Sequence, residues 1–169
     1  MTDAPPVLVV MGVAGAGKTT IARAVAARLG WVFLDGDDLH PAANVAKMKR
    51  GQPLDDADRG PWLDRIAGWI DQQARTGHAS VVACSALKRR YRDVLAGGRP
   101  FVRIVFVEGA RDLISERMAM RDHAYFPASL LDSQFEALEP PGPEENPIVV
   151  DAAQPLEAQV IEVTAALAV

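Results

Sequence analysis

Apolar residues in this chain fall into short runs separated by mixed segments. The runs at 7–11, 31–34, 81–84, 102–107 and 148–150 are rich in β-branched residues and lack a helical repeat, so they are expected as strands buried on both faces. The segments between them have helical character. Gly30 follows 21–29 as a stop, Pro61 is placed to open a helix over 62–74, and Gly77 closes it, each residue standing where it ordinarily ends or begins a helix. Further helices are expected at 89–95, 112–121, 128–138 and 156–167. Strand and helix thus alternate, which predicts βαβ units and an α/β fold with a parallel sheet covered on both sides. The stretch 139–147, EPPGPEENP, reads as a loop and not a domain boundary, since only one strand and one helix remain beyond it. With no internal repeat and no long linker, residues 1–169 are expected to form a single domain.

Composition narrows the class. At 49% hydrophobic and 24% charged residues the chain matches ordinary globular proteins, which excludes disordered, collagen-like and disulfide-scaffold classes. Its single cysteine, Cys84, has no partner for an internal disulfide, and the N-terminal residues lack the basic start and apolar run of a signal peptide; a cytoplasmic location is expected. No apolar stretch approaches the roughly 18 residues of a membrane span, so no membrane association is expected. A net charge of -4 offers no general attraction for nucleic acid, so an anionic partner must be held by local groups.

The strongest chemical signal follows the first run. Gly12, Val13, Ala14, Gly15, Ala16, Gly17, Lys18 and Thr19 satisfy the P-loop pattern, directly after a predicted strand and before a predicted helix, with Thr20 continuing it. Such a loop turns successive backbone N–H groups inward toward phosphates, and the helix N-terminus adds positive potential. Lys18 is expected to neutralise the β- and γ-phosphates of ATP, and Thr19 to offer its hydroxyl to Mg²⁺. A guanine-nucleotide switch is disfavoured because no Asn-Lys-x-Asp base reader occurs, and a motor ATPase because the strand at 81–84 ends in Ser85-Ala86-Leu87-Lys88 and not in Asp-Glu. Transfer of a phosphoryl group to a small molecule remains.

The acceptor side is expected at the end of the second strand, Leu34-Asp35-Gly36-Asp37-Asp38-Leu39-His40, because ligands sit at strand C-terminal ends in open parallel sheets. If strand alternation continues, Asp35 and Asp37 share a side. Asp37 is assigned to the acceptor hydroxyl, Asp35 to the Mg²⁺ water shell, and Asp38 to helix capping. Among the basic residues, Lys88 stands directly after a buried strand, and Arg59 stands in a segment whose Gly60 and Pro61 are expected to shape a loop. Arg117 and Arg121, four apart, fit either closure over a triphosphate or surface ion pairing.

The stretches MGVAGAGKTT, FLDGDDLHP, NVAKMKRGQPLDDADRGPWL, VVACSALKRRYRDVL, SQFEALEPP and VVDAAQPLE together resemble the gluconate kinase family, a relative of the shikimate kinases. The combination of Asp-Gly-Asp-x-Leu-His with Cys-Ser-Ala-Leu-Lys separates that family from its relatives. The resemblance implies the P-loop NTPase fold with a five-stranded parallel sheet, a mobile lid at about 121–127, ATP-dependent phosphorylation of D-gluconate at the 6-hydroxyl, and a homodimer. It implies that Arg117 and Arg121 are lid arginines, Arg121 catalytic with Lys18 and Asp37. It also implies that His40, Lys47, Arg59, Lys88 and Arg92 join Asp37 at the acceptor, and that the segment 151–155, with Pro155, lies near adenine. His123 is displaced by one position from the family's lid pattern and receives no role. Two other readings are a kinase for another hydroxy acid such as shikimate, and an ATP-binding regulatory module without an acceptor; Asp37 with its basic neighbours argues against the second.

Overall fold

The computed structural model describes residues 3–120 and 128–167. Five parallel strands, β1 (Val7–Met11), β2 (Val32–Asp35), β3 (Ser80–Ala83), β4 (Val102–Glu108) and β5 (Ile148–Asp151), lie in the order β2-β3-β1-β4-β5. The registers run Val7 opposite Ser80 and Val102, Val32 opposite Ser80, and Val105 opposite Ile148. Central β1 is buried along its whole length, whereas edge strand β5 alternates buried and exposed positions. That difference follows from strand position: a central parallel strand is covered on both faces.

The alternation of side chains along the strands divides the core in two. On one face Leu8, Val10, Val81, Val105 and Val107 pack against Ile21, Ala22 and Val25 of α1 (Lys18–Leu29) and Val160 and Val163 of α7 (Leu156–Leu167). On the other, Val7, Val9, Val82, Ile104 and Phe106 pack against Trp62, Ile66 and Ile70 of α3 (Asp56–Thr76) and Tyr91 and Leu95 of α4 (Arg89–Ala96). The remaining helices, α2 (Ala42–Lys49), α5 (Arg111–Ala119) and α6 (Ala128–Ala137), stand around the C-terminal ends of the strands. Cys84 is buried in the second core, where burial pushes its thiol up to about 12, so it packs and does not react.

Two local expectations are corrected. Helix α3 begins at Asp56, not after Pro61: Asp55 accepts from the Asp58 N–H at 2.8 Å and Asp58 accepts from the Asp55 N–H at 2.9 Å. This reciprocal capping box starts the helix upstream of the proline, so Pro61 lies inside it and Arg59 is helical, with no loop shaped by Gly60. The strand β2 stops at Asp35 and a 3₁₀ turn over Gly36–Leu39 follows, so alternation does not carry through to Asp37. Gly36 has the room this turn needs, since a Cβ there would lie 2.5 Å from the Ala83 carbonyl oxygen.

Candidate active site

The P-loop and the turn after β2 face each other across a cavity of about 470 Å³. Ala14, Gly15, Lys18 and Thr19 form one wall; Asp37, Asp38, His40 and Arg59 form the other. On the first wall, Val13 and Ala16 are buried in the core and fix the loop from beneath. Gly15 has φ +82, a conformation that favours glycine, and a Cβ there would sit 2.8 Å from Met118 Sδ and push that flexible side chain aside. The N–H groups of the first turn of α1 have no intrahelical partner and point toward the ligand side. Thr20 is exposed and is not part of the wall.

On the acceptor wall the roles of the aspartates shift. Asp35 caps the 3₁₀ turn, its Oδ1 accepting from the Asp37 N–H at 3.0 Å, and is not itself on the cavity wall. Asp38, expected to cap, lines the cavity with Asp37. Burial, then the Asp37 charge, raise the Asp35 carboxyl above its ordinary value, against the Asp37 N–H bond and the Lys18 charge that lower it. His40 lies flat on Trp62, ring centroids 4.1 Å apart, with Nε2 3.7 Å from Asp37 Oδ1.

Among the cations, Arg59 occupies the pivotal place. It lines the main cavity and also a smaller one of about 210 Å³, where Lys88, Asp55, Asp56 and Ser133 are further walls. Its Nη1 donates to the Leu54 carbonyl at 2.7 Å and the Tyr91 hydroxyl at 3.3 Å, and the guanidinium lies over the Tyr91 ring. Its Nε and Nη2 have no partner among the described residues.

Three expected acceptor residues are placed differently. Lys47 donates to Asp58 at 2.6 Å and lies 3.8 Å from Asp55, so it ties α2 to the cap of α3 and is not on a cavity wall. The bond to Asp58 holds its ammonium above the usual range. Lys88 lines only the smaller cavity and is 3.7 Å from Asp56, which Arg90 and Tyr91 also contact. Arg92 is 1% exposed and committed: Nε and Nη2 reach Glu145 at 2.7 and 3.1 Å, and Nη1 reaches the Ala86 and Leu87 carbonyls at 2.9 and 3.2 Å. It therefore shapes the loop after β3 instead of meeting a ligand. Arg117 and Pro155 are off the cavity wall, and Met118, beside Arg117, is on it. Arg121, His123 and the expected lid at 121–127 lie outside the described residues.

Several wall residues carried no signal in sequence beyond their stretch. Ser133 and Gln134 of α6 line the cavity, and Gln134 Oε1 accepts from the P-loop Ala14 N–H at 2.7 Å. They stand inside SQFEALEPP, where a polar pair on a helix with Leu130 and Leu131 behind it was the available hint. Lys49, Ser85 and Trp62 complete the enclosure.

A P-loop on a β2-β3-β1-β4-β5 parallel sheet, opening onto a carboxylate and an arginine across one cleft, defines a P-loop kinase of small molecules. Residues 7–141 match the family model described as an AAA domain. The chain is 49% identical to a gluconokinase of Gluconobacter oxydans (strain 621H), over 86% of this chain and 82% of that protein. It is 44% identical to the thermoresistant gluconokinase of Escherichia coli (strain K12), over 91% and 89%. The crystal structure of a gluconokinase from Sinorhizobium meliloti 1021 superposes with a TM-score of 0.85 at 43% identity, covering 99% of this chain and 94% of that one. The chain belongs to the gluconokinase family.

Proposed function

We propose that this single-domain enzyme transfers the γ-phosphoryl group of ATP to the 6-hydroxyl of D-gluconate, giving 6-phospho-D-gluconate and ADP. The observation that carries the reading is the one cavity that joins Lys18 and Thr19 to Asp37, His40 and Arg59. The P-loop N–H groups and Lys18 hold the β- and γ-phosphates, with Arg117, Arg121 and Pro155 assigned to the nucleotide by resemblance. Asp37 accepts the proton of the 6-hydroxyl as that oxygen bonds to the γ-phosphorus and the bond from phosphorus to the β,γ-bridging oxygen breaks. Arg59 reads the carboxylate at the far end of the sugar acid: its Nε and Nη2, without a partner among the described residues, are the pair of donors that bind a carboxylate in parallel. Lys88, beyond Arg59 in the smaller cavity, adds a second positive charge partly answered by Asp56.

Mg²⁺ fits the residues present. Among the described residues no group of three His, Cys, Asp or Glu side chains could hold a metal alone, which suits a hard cation ligated mostly by phosphates and water. Thr19, on the cavity wall, would contribute its hydroxyl, and the ion would neutralise charge on the phosphates; Asp35, committed to capping the 3₁₀ turn and off the wall, is not assigned to its water shell. The reading carries with it the homodimer that the family resemblance implies and the cytoplasmic location expected from the single cysteine.

Coupled ADP-release kinetics on gluconate, glucose and shikimate test the proposal with wild type and Arg59→Ala. Gluconate is expected to be the efficient acceptor and glucose, which lacks the carboxylate, a very poor one. Arg59→Ala is expected to lower kcat/KM for gluconate by roughly 30-fold or more, since truncating one partner of an enclosed charge pair costs about 2–5 kcal/mol, with little change in ATP affinity. Efficient glucose phosphorylation, or an unchanged kcat/KM in the variant, would show that the carboxylate is not read by Arg59.

A further inference from the structure

Asn44 has no part in the chemistry assigned so far, yet it is 4% exposed in the short helix α2, an uncommon place for a side chain that competes for backbone hydrogen bonds. Its Nδ2 lies 2.9 Å from the Asp58 carbonyl oxygen. That oxygen only accepts, so the amide nitrogen must face it, and the orientation of the amide is fixed. The same Nδ2 lies 3.2 Å from His40 Nδ1. One N–H goes to each partner. His40 Nδ1 therefore presents a lone pair, and the ring proton sits on Nε2, the nitrogen 3.7 Å from Asp37 Oδ1. Trp62, stacked on the ring at an interplanar angle of 14° and anchored through Nε1 to the Gly36 carbonyl at 2.8 Å, sets the plane in which that N–H points.

We propose that Asn44 is a positioning residue of the transfer site: it holds His40 as the neutral Nε2–H tautomer, and that N–H aims the Asp37 carboxylate at the acceptor hydroxyl. The inference rests on the reading of Asp37 as the group that takes the hydroxyl proton. The alternatives at His40 each harm that chemistry. A bare Nε2 lone pair would repel the carboxylate, and an imidazolium would pair with it and weaken it as a base. A second ring proton would also set an N–H at Nδ1 against the Asn44 N–H. Around the ring stand Asp37 from the 3₁₀ turn, Asn44 from α2, and Trp62 and the Arg59 charge from α3. Burial is the largest influence on the ring and keeps it neutral; the Asp37 charge opposes this and the Arg59 charge reinforces it. Nε2 and Oδ1 lie 3.7 Å apart, longer than a hydrogen bond, and catalytic hydrogen bonds are often long before substrate binds.

Long-range ¹H–¹⁵N NMR on protein labelled at histidine reads, without turnover, which ring nitrogen carries the proton and where the ring charges. Wild type is expected to show Nε2–H and to charge below the ordinary histidine value of about 6.5. In Asn44→Ala the ring is expected to charge nearer that value. The variant's kcat for gluconate should then gain an acid limb that wild type lacks, with a loss of about five- to tenfold near pH 6 and a smaller loss near pH 8.5. Should Asn44→Ala not fold, His40 carries the test: glutamine supplies an uncharged N–H near the Nε2 position, so His40→Gln is expected to turn over several-fold faster than His40→Ala, without the acid limb. A wild-type Nδ1–H tautomer overturns the proposal. So does an Asn44→Ala enzyme whose histidine titration is unaltered and whose kcat loss is uniform with pH, the pattern of a merely structural residue. Asp37→Asn separates the inference from its premise: full turnover there removes Asp37 as the base, whereas an inactive Asp37→Asn beside an unchanged Asn44→Ala profile overturns the Asn44 proposal alone.

Discussion

Lys18 and Asp37 stand on facing walls of one cavity, and the chemistry asked of them differs. In the proposed reaction the ammonium of Lys18 stabilises charge that builds on the transferred group, so Lys18→Ala is expected to lower kcat by on the order of 10²-fold or more, as when a preorganised charge leaves a dry site. Asp37→Asn keeps the shape of the side chain but cannot take a proton; kcat should collapse while ATP affinity is largely retained. Titration with nucleotide alongside single-turnover rates checks both, and a collapse of ATP affinity in Asp37→Asn would move that residue to the metal. At this scale the phosphate side was legible because its residues are consecutive and their spacing is itself the mechanism. The acceptor side was less so. Lys47, Lys88 and Arg92 were each plausible anion ligands in sequence, but each met an acidic partner brought in by the fold: Asp58, Asp56 and Glu145. A single chain does not reveal which cations will be answered from elsewhere, and Arg59, which lines the cavity and has no carboxylate partner among the described residues, is distinguished from them only in three dimensions.

Elements position those residues through contacts that join distant segments. The loop after β3 carries Ser85 and Lys88 to the two cavities, and it is held in an unusual shape, with Ala86 at φ +44. Arg92 grips its Ala86 and Leu87 carbonyls, Glu145 grips Arg92, and the Glu139 carboxylate accepts the Arg89 N–H at 2.9 Å at the start of α4. The segment 139–147, legible only as a loop, is thus a clasp on the acceptor side. Removing Glu145 strands a buried guanidinium, so Glu145→Ala is expected to cost about 3–5 kcal/mol, the scale for breaking a buried pair. Urea unfolding measures this, with Asp93→Ala as the contrast: its partner Arg89 is exposed, and such helix-surface pairs contribute only about 0.3–0.5 kcal/mol. Equal small losses in both would show that Arg92 is satisfied without Glu145. The five strands and most helices were legible because apolar runs and terminal glycines are local features. The start of α3 is not legible from Pro61 because the capping box at Asp55 and Asp58 begins the helix upstream of it, and α2 is not legible because its short, half-buried run carries little periodicity.

Across the whole molecule, the ion pairs that lock the elements and the histidine at the acceptor wall respond to acid in separate windows. Hydrogen bonds from Tyr91, Lys47 and Arg99 hold Asp56, Asp58 and Asp71 below their ordinary value of 3.8. Burial alone would raise Glu145, but hydrogen bonds from Arg92 and the Gly142 N–H, with the charges of Arg92 and Arg89, outweigh it and hold the carboxyl below 4.5. For such groups the unfolded chain takes up protons first as pH falls. Their stabilisation is complete above the unfolded values and is lost on acidification through the folded ones. Asp35, raised by burial, acts in the opposite sense over its own small window. His40, lowered from 6.5 chiefly by burial, also favours protonation of the unfolded state, but its loss begins as pH falls below 6.5 and ends at its folded value. On acidification from about pH 7 stability is therefore expected to fall in two steps, the first with a slope of at most about 1.4 kcal/mol per pH unit because His40 is the one lowered histidine among the described residues, while above about pH 8 the buried Cys84 thiol, raised to about 12, makes stability decline again. The second and steeper step should open below about pH 4.5, where the carboxylates follow. Urea midpoints measured across this range for wild type and His40→Gln check the assignment: the variant should lose the first step and keep the second. A first step that survives in His40→Gln would place the titrating group elsewhere and would mean that the acceptor wall is not where the protein holds a histidine neutral.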